Sequence, residues 1–518
     1  MTVAKYGRFE ATFVANDQPA PNTKVDVTFT SPGGETTTVP GFWDGGRTWR
    51  VRFRPDVVGE WSYATATADG RTELHGQSGN FGCSELKDSR NRFLRHGPID
   101  LSDNGHHLAH ADGTPFFFLA DTVWNGPMLS TTDDWNLFLN DRVEKQFTGI
   151  QFVTQAPWIT CFTNREGEVA VTGNAAMPAN PHFFKRIDEK MDAINDRGLL
   201  AIPVLAWAAT WNETARQYNV GCFLPEDQLI EFVKYQVARY HAHHVLWILP
   251  GDGKYEGEEA EKWLRVGRAV FGEGDHAPVS LHPCGKHWPY EPFYKEAWCN
   301  VYGYQSSHSD ADPTLEFMQT GPPASAWQED PPCPVMNIEP CYEDHINHSK
   351  GEPFGATTVR QACYWSMLSS PPAGLTYGGH GIWGWAETEE TPLHHPRTGA
   401  SKVWREGKDL EGAFDMMRLA DLFTSVSWWE LMPDQELILG PSEPEPSDWV
   451  SAVRNSDGSL ALVYLPAGGS VTVDTGRLAD GVAGQWYDPR TGERAEASGD
   501  EGSYSAPSDH DWVLVLGK

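Results

Sequence analysis

The chain is poor in several things, and each shortage removes a class of function. Apolar runs are short, well below the roughly 20 residues that a membrane-spanning helix needs. The opening stretch, Met1 to Glu10, turns polar at once and has no apolar signal core, so a cytoplasmic location is expected. Cysteine is scarce: eight residues in 518, none in a Cys-x-x-Cys pair, which argues against structural zinc or a disulfide framework. Positive charge is scarce too, with 40 Lys and Arg against 71 Asp and Glu and a net charge of −31. Such a surface repels phosphate backbones and anionic lipids, so neither nucleic acid nor a membrane is an expected partner. Metalloprotease, serine-hydrolase, Walker and dinucleotide motifs are all missing. His241-Ala-His-His244 ends a helix, where the dipole favours histidine without any metal. His394 and His395 fall in a Pro- and Arg-rich surface loop. No cofactor or metal is expected.

Aromatic residues are abundant: 22 Trp, 16 Tyr and 24 Phe, many of the Trp in loops. Aromatic faces suit the C–H faces of sugars, with hydroxyls left for polar neighbours. The length implies about three domains. Residues 1–86 alternate apolar and polar positions between Gly/Pro/Asp turns, as in Phe9–Val14 and Val25–Phe29, and predict a β-sandwich. Residues 431–518 read the same way, with Leu460–Tyr464 and Trp512–Leu516 as strands. Residues 92–430 alternate strands with helices. Eight apolar runs stand out: Phe116–Ala120, Gly149–Thr154, Leu199–Leu205, Val245–Leu249, Pro278–Leu281, Cys299–Tyr304, Val335–Ile338 and Gly374–Tyr377. Helical periodicity is clearest at Asp134–Gln146, His182–Asn195, Asp227–Ala242 and Thr358–Leu368. The expected fold is α/β, a (β/α)8 TIM barrel flanked by N-terminal and C-terminal β-sandwich domains.

In such a barrel the working residues lie at the C-terminal ends of the strands. Applied to the eight runs, this rule selects Asp121, Trp124, Gln155, Trp207, His282, Gln305, His308, Tyr342, His380 and Trp383 as sugar contacts. Asp121 could equally orient other groups from behind the site. The fourth and seventh runs end in carboxylates, Asp252 and Glu339. Glycosidic hydrolysis needs one carboxylic acid for the leaving oxygen and one carboxylate to attack or to activate water. Taken alone, Asp252 is an ordinary turn residue between two glycines and Glu339 an ordinary buried, ion-paired Glu. Their joint placement on strands four and seven makes Asp252 the candidate acid/base and Glu339 the candidate nucleophile, with Glu343 next in line as acid. Trp124, Trp158, Trp288 and Trp383, together with walls from the β-domains, predict a closed pocket and exo action.

Several stretches resemble the DUF4038 glycoside hydrolases, which include the family 140 apiosidases. They are Phe118-Leu-Ala-Asp-Thr-Val-Trp124, Trp247-Ile-Leu-Pro-Gly-Asp252, Asn337-Ile-Glu-Pro-Cys-Tyr-Glu343, Arg360–Trp365 and Tyr377–Trp383. Gly41–Gly46 and Arg52–Pro55 resemble a DUF5060 β-domain, and Leu462–Pro466 with Asp511–Leu516 a so-called collagen-binding domain. The resemblance implies a retaining hydrolase with Asp252 as acid/base and Glu339 as nucleophile. It implies a terminal sugar on an oligosaccharide or glycoside, such as the pentofuranosides apiose or arabinose. Pro250, where Gly is expected, and Asn347-His-Ser depart from the pattern in loops that would touch substrate, so apiose itself is not implied. Collagen binding is not expected. The competing readings are a lyase or transglycosylase on the same barrel, and an inactive carbohydrate-binding protein.

Overall fold

The structure is a computed structural model that describes residues 1–68, 70, 72–86, 89–155, 163–209, 216–272, 274–393, 395–440 and 445–518. Trp158, Cys161 and His394 lie outside the described residues, as does 441–444. At the centre is an eight-stranded parallel sheet: β1 Leu119–Thr122, β2 Gly149–Val153, β3 Leu200–Trp207, β4 Trp247–Gly253, β5 Val279–Pro283, β6 Tyr302–Gln305, β7 Val335–Glu339 and β8 Leu375–Tyr377. Neighbours pair in order, β8 returns to β1, and a parallel bridge from Ser280 to Val301 joins β5 to β6 and closes the barrel. Burial on both faces explains why these strands read as continuous apolar runs.

The first strand differs from expectation. Pro115–Phe116 pairs with Leu108–His110 and Ile99–Leu101 in a small antiparallel sheet, and the barrel strand begins only at Leu119. Among the described residues, seven helices of eight residues or more pack outside: α1 Thr132–Glu144, α2 Pro181–Asp196, α3 Glu226–Tyr240, α4 Glu258–Val270, α5 Asp312–Gln319, α6 Ala356–Ser369 and α7 Glu411–Thr424. Their starts are chemically marked. Thr131 caps α1 by accepting the Asp134 N–H, and Asn180 caps α2 ahead of Pro181. Between β5 and β6 the described chain makes only a 3-10 turn at Glu291–Phe293. Trp288, Tyr290, Tyr294 and Tyr302 fill that place in the outer layer, with Trp288 Nε1 donating to Tyr294 Oη at 2.9 Å.

The N-terminal domain packs a five-stranded sheet on a three-stranded one, and Phe9 stacks on Phe81 across the interface at 3.8 Å. It docks on α2 and α3. Arg52 of this domain and Arg239 of α3 both grip Asp188 of α2, at 2.7 and 2.5 Å, and Arg239 also reaches Asp44 at 3.0 Å. The C-terminal domain, a six-stranded sheet with a two-stranded one, docks on α6 and α7. There Arg360 binds Asp511 through two nitrogens at 2.8 and 2.7 Å and Asp415 at 2.6 Å, beside stacked Tyr364 and Tyr464. Both domains thus hold the helix layer, and the C-terminal domain also brings Ser447 beside Ser306 and Cys341, just past the ends of β6 and β7. Asp188→Ala would leave two buried guanidinium groups without their shared partner. We expect a loss of about 3–5 kcal/mol, read as a shift of the first urea transition, while Arg8→Ala at the half-exposed Asp192 pair shifts it little.

Candidate active site

Glu339 ends β7, and a register shift places it, instead of Ile338, opposite Gln305 on β6. It is 5% exposed. Gln305 Nε2 donates to Oε1 at 2.7 Å and His308 Nε2 to the same oxygen at 3.0 Å. His282 Nε2, from β5, lies 3.0 Å from Oε2. The His308 tautomer follows from its other nitrogen: Nδ1 accepts the Tyr342 backbone N–H at 3.4 Å, which leaves the proton on Nε2. Burial alone would push the Glu339 carboxyl up, but the His282 and His308 contacts outweigh it and hold the group down at about 2. A carboxylate so held is a nucleophile or an electrostatic stabiliser, and a poor proton donor.

β4 reaches the mouth as Pro250-Gly-Asp-Gly253, with register irregularities against β5. A Cβ on Gly251 would sit 2.4 Å from the Trp207 ring, and one on Gly253 2.3 Å from the Tyr255 ring, so both glycines mark close approaches. Asp252 between them has a φ of 57°, in the left-handed region, and is partly exposed. The Cys284 N–H donates to the Gly253 carbonyl at 2.9 Å and ties the end of β4 to the chain leaving β5, where burial first and the Asp252 charge second push the Cys284 thiol up to about 12. Gly251 pairs in register with His282. His282 therefore stands between the end of β4 and Glu339.

Aromatic rings stand on both sides of the histidines that hold Glu339. Trp124 lies 5.0 Å from Trp207 and 5.3 Å from His282 between centroids. On the other side Tyr342 lies 4.7 Å from His308 and 6.3 Å from Trp383. Trp383 Nε1 donates to His380 Nδ1 at 3.0 Å, and His380 Nε2 donates to the Gly399 carbonyl at 3.0 Å. The Asn125 N–H donates to the Trp383 carbonyl, tying the loop after β1 to the loop after β8.

Two residues expected at the sugar are held by the protein instead. Asp121 lies inside β1 and pairs with Arg142 of α1 at 2.6 Å, both with fully buried side chains. Burial raises its carboxyl to about 6 against the lowering charge of Arg142. Gln155 braces β3: its Nε2 donates to the Val204 and Leu205 carbonyls, both at 2.9 Å, and its Oε1 accepts the Trp207 N–H at 2.8 Å. Glu343 turns away as well. It accepts the Tyr377 hydroxyl at 2.6 Å and the Gly412 N–H at 2.8 Å, and so caps the start of α7. His345, which the strand-end rule passed over, stacks on His308 at 4.2 Å and directs Nδ1 at the Ile346 carbonyl. Burial keeps it well below the usual imidazole range. At the other end of the barrel His243 meets Asp192 at 2.9 Å and His244 stacks on Phe93. Among the described residues no group of three or more His, Cys, Asp or Glu could hold a metal ion.

Residues 102–430 match the family described as "Apiosidase-like, catalytic domain". The chain belongs to the apiosidase-like family. It is a glycosidase, and its substrate is a carbohydrate. In this apiosidase-like chain residues 2–68 match DUF5060, a domain of unknown function, and residues 432–517 match a family named for collagen binding in a collagenase. A search of curated proteins gave no match. Among solved structures, one titled "Glycoside hydrolase" is 21% identical over 82% of this chain and 97% of its own, with a TM-score of 0.71. A glycoside hydrolase family 5 protein from Bacteroides vulgatus ATCC 8482 is also 21% identical, over 82% and 93%, with a TM-score of 0.71. These likenesses establish the shared fold.

The depressed Glu339 pKa fixes a sign. Its ionised form is favoured in the fold, so the stability it contributes is present above the unfolded carboxylate value and is lost as pH falls toward about 2. His308→Ala removes one donor and leaves burial less opposed. The acid limb of the kcat/KM–pH profile should then move upward by about one unit or more, given the worth of a charged hydrogen bond. An unmoved limb would show that His308 does not hold the charge.

Proposed function

We propose that the chain is a retaining, exo-acting glycoside hydrolase that removes a terminal sugar from an oligosaccharide or glycoside. Pentofuranosides such as apiose and arabinose are the first candidates for that sugar. The observation that carries this reading is the Glu339 carboxylate, buried yet kept ionised by Gln305, His308 and His282 at the end of β7. Asp252 is the last residue but one of β4, three strands round the barrel. In the first step Glu339 attacks the anomeric carbon, the bond to the leaving oxygen breaks, and Asp252 gives that oxygen its proton. Oε2, which takes neither the Gln305 nor the His308 hydrogen bond, is the attacking oxygen. In the second step the Asp252 carboxylate takes a proton from water, the hydroxyl attacks the same carbon, and the Glu339 ester opens. Trp124, Trp207 and His282 on one side, with Tyr342, His380 and Trp383 on the other, narrow the mouth around one sugar and support exo action.

A panel of nitrophenyl pentofuranosides and hexosides, both anomers, finds the working substrate. On it Glu339→Gln should lose about 10⁴-fold in kcat, since an amide cannot form the ester. Azide should partly rescue Glu339→Gly and give product of inverted configuration. Activity within tenfold of the parent in Glu339→Gln would refute the assignment. Asp252→Asn should slow poor leaving groups far more than activated aryl ones. Equal losses on both would remove Asp252 as the acid, and early release of internal oligomers without monosaccharide would remove exo action.

A further inference from the structure

At the barrel end opposite Glu339 the local charge runs against the net −31 of the chain. A cavity of about 210 Å³ opens there beneath the starts of β1, β2 and β3, which Phe117, Thr148 and Leu199 precede. Arg92 and Arg197 line it, and among the described residues no Asp or Glu does. With 71 acidic residues against 40 basic ones, a lining charged by arginine alone is not what the composition supplies by default.

Backbone contacts bring the two arginines together. Asn91 Nδ2 donates to the Asn195 carbonyl at 2.6 Å, and its Oδ1 accepts the Phe93 N–H at 3.0 Å, so the chain entering the barrel domain is pinned to the end of α2. Gly198, at a φ of 71°, passes close by: a Cβ there would lie 3.5 Å from the Arg92 backbone nitrogen. Arg92 and Arg197 therefore branch from neighbouring points of the backbone.

Their donors are only partly used. Arg197 gives Nε to Asn140 Oδ1 at 2.7 Å, Nη2 to Asn136 Oδ1 at 2.9 Å and Nη1 to the Ala193 carbonyl at 2.9 Å. All three acceptors are neutral, and a guanidinium has further N–H groups to give. Arg92 rests 5.9 Å from the Phe116 ring and makes no hydrogen bond or ion pair among the described residues. Burial pulls the Arg92 guanidinium below the usual arginine range, and the charge of Arg95 adds to it. Burial lowers Arg197 as well, against the raising charge of Asp196. Two carboxylates stand near but outside the cavity. Asp421 accepts Gln146 Nε2 at 2.7 Å, and Asp196 makes no ion pair among the described residues. The hydroxyls are spent on carbonyls, Thr148 on Phe117 at 2.7 Å and Thr424 on Ala420 at 2.6 Å. Half-buried cations without a counter-charge are costly, and an oxyanion taken into the arginine forks would supply the missing charge.

We propose that this cavity binds a small phosphate-class oxyanion, either free phosphate or the phosphate group of a sugar phosphate, between Arg92 and Arg197. The site does not depend on the hydrolase reading. Isothermal titration calorimetry on the full chain tests it, with inorganic phosphate, glucose 6-phosphate and glucose in turn. Phosphate should bind with a Kd of about 1 mM or tighter, and glucose should give no heat of binding. Equal affinity for the two phosphates would make free phosphate the ligand, and tighter binding of glucose 6-phosphate would make the ester the ligand. Arg92→Gln is the variant of choice, because that side chain holds no partner in the fold. It should weaken both phosphates about tenfold or more, the worth of a charge-assisted hydrogen bond, with thermal unfolding unchanged in phosphate-free buffer. Arg265→Gln, at an exposed pair with Glu226, should bind like the parent. No phosphate binding up to about 50 mM, binding that survives Arg92→Gln, or an equal loss in Arg265→Gln would overturn the proposal. So would glucose binding as tightly as its phosphate.

Discussion

A carboxylate taken out of water must either accept a proton or be surrounded by donors, and the barrel mouth is arranged around the second solution. Gln305 from β6, His308 just beyond it and His282 from β5 converge on Glu339 from neighbouring strands. None of these contacts is local in sequence. They exist only once β5, β6 and β7 are in register, so the chemistry of the site is a product of barrel closure. The same requirement fixes the second row of residues. His308 must present Nε2, hence Nδ1 must accept the Tyr342 N–H, hence the chain after β7 must turn back past His308, which brings Tyr342 and His345 against its ring.

The outer parts of the molecule solve a related problem in a different way. Arg52, Arg239 and Asp188 at one flank, and Arg360, Asp415 and Asp511 at the other, are charges buried between domains. Removing one partner costs far more than the whole pair contributes, because the survivors stay desolvated. Such groups specify how the domains seat on α2, α3, α6 and α7 more than they add to net stability.

Much of this was legible from residues alone because it follows from repeating pattern. The eight apolar runs marked the barrel strands, and the residues just past them included Glu339, His282, Gln305, His308 and Tyr342, which the structure brings together. What pattern could not supply was the direction of a side chain near a strand boundary. Beginning β1 at Leu119 instead of Phe116 carries Asp121 into the strand, where it pairs with Arg142 in the helix layer. Gln155 lies at the right height, yet its amide is consumed by two carbonyls of β3. Glu343 has the right residue type and is drawn off by Tyr377 and the first turn of α7. His345 matters through a ring stack with a residue 37 positions earlier (345 − 308), and no local signal announces such a partner.

The seating of both β-domains on the helix layer has a consequence for how such a protein can change. The ion pairs that fasten the domains lie on the outer helices, and the carboxylate held by Gln305 and His308 lies at the strand ends of the barrel mouth. Replacements in the loop after β8 leave those ion pairs untouched. Selection can therefore act on what is recognised and on what keeps the molecule assembled as nearly separate traits, and a lineage can wander widely in diet without renegotiating its architecture.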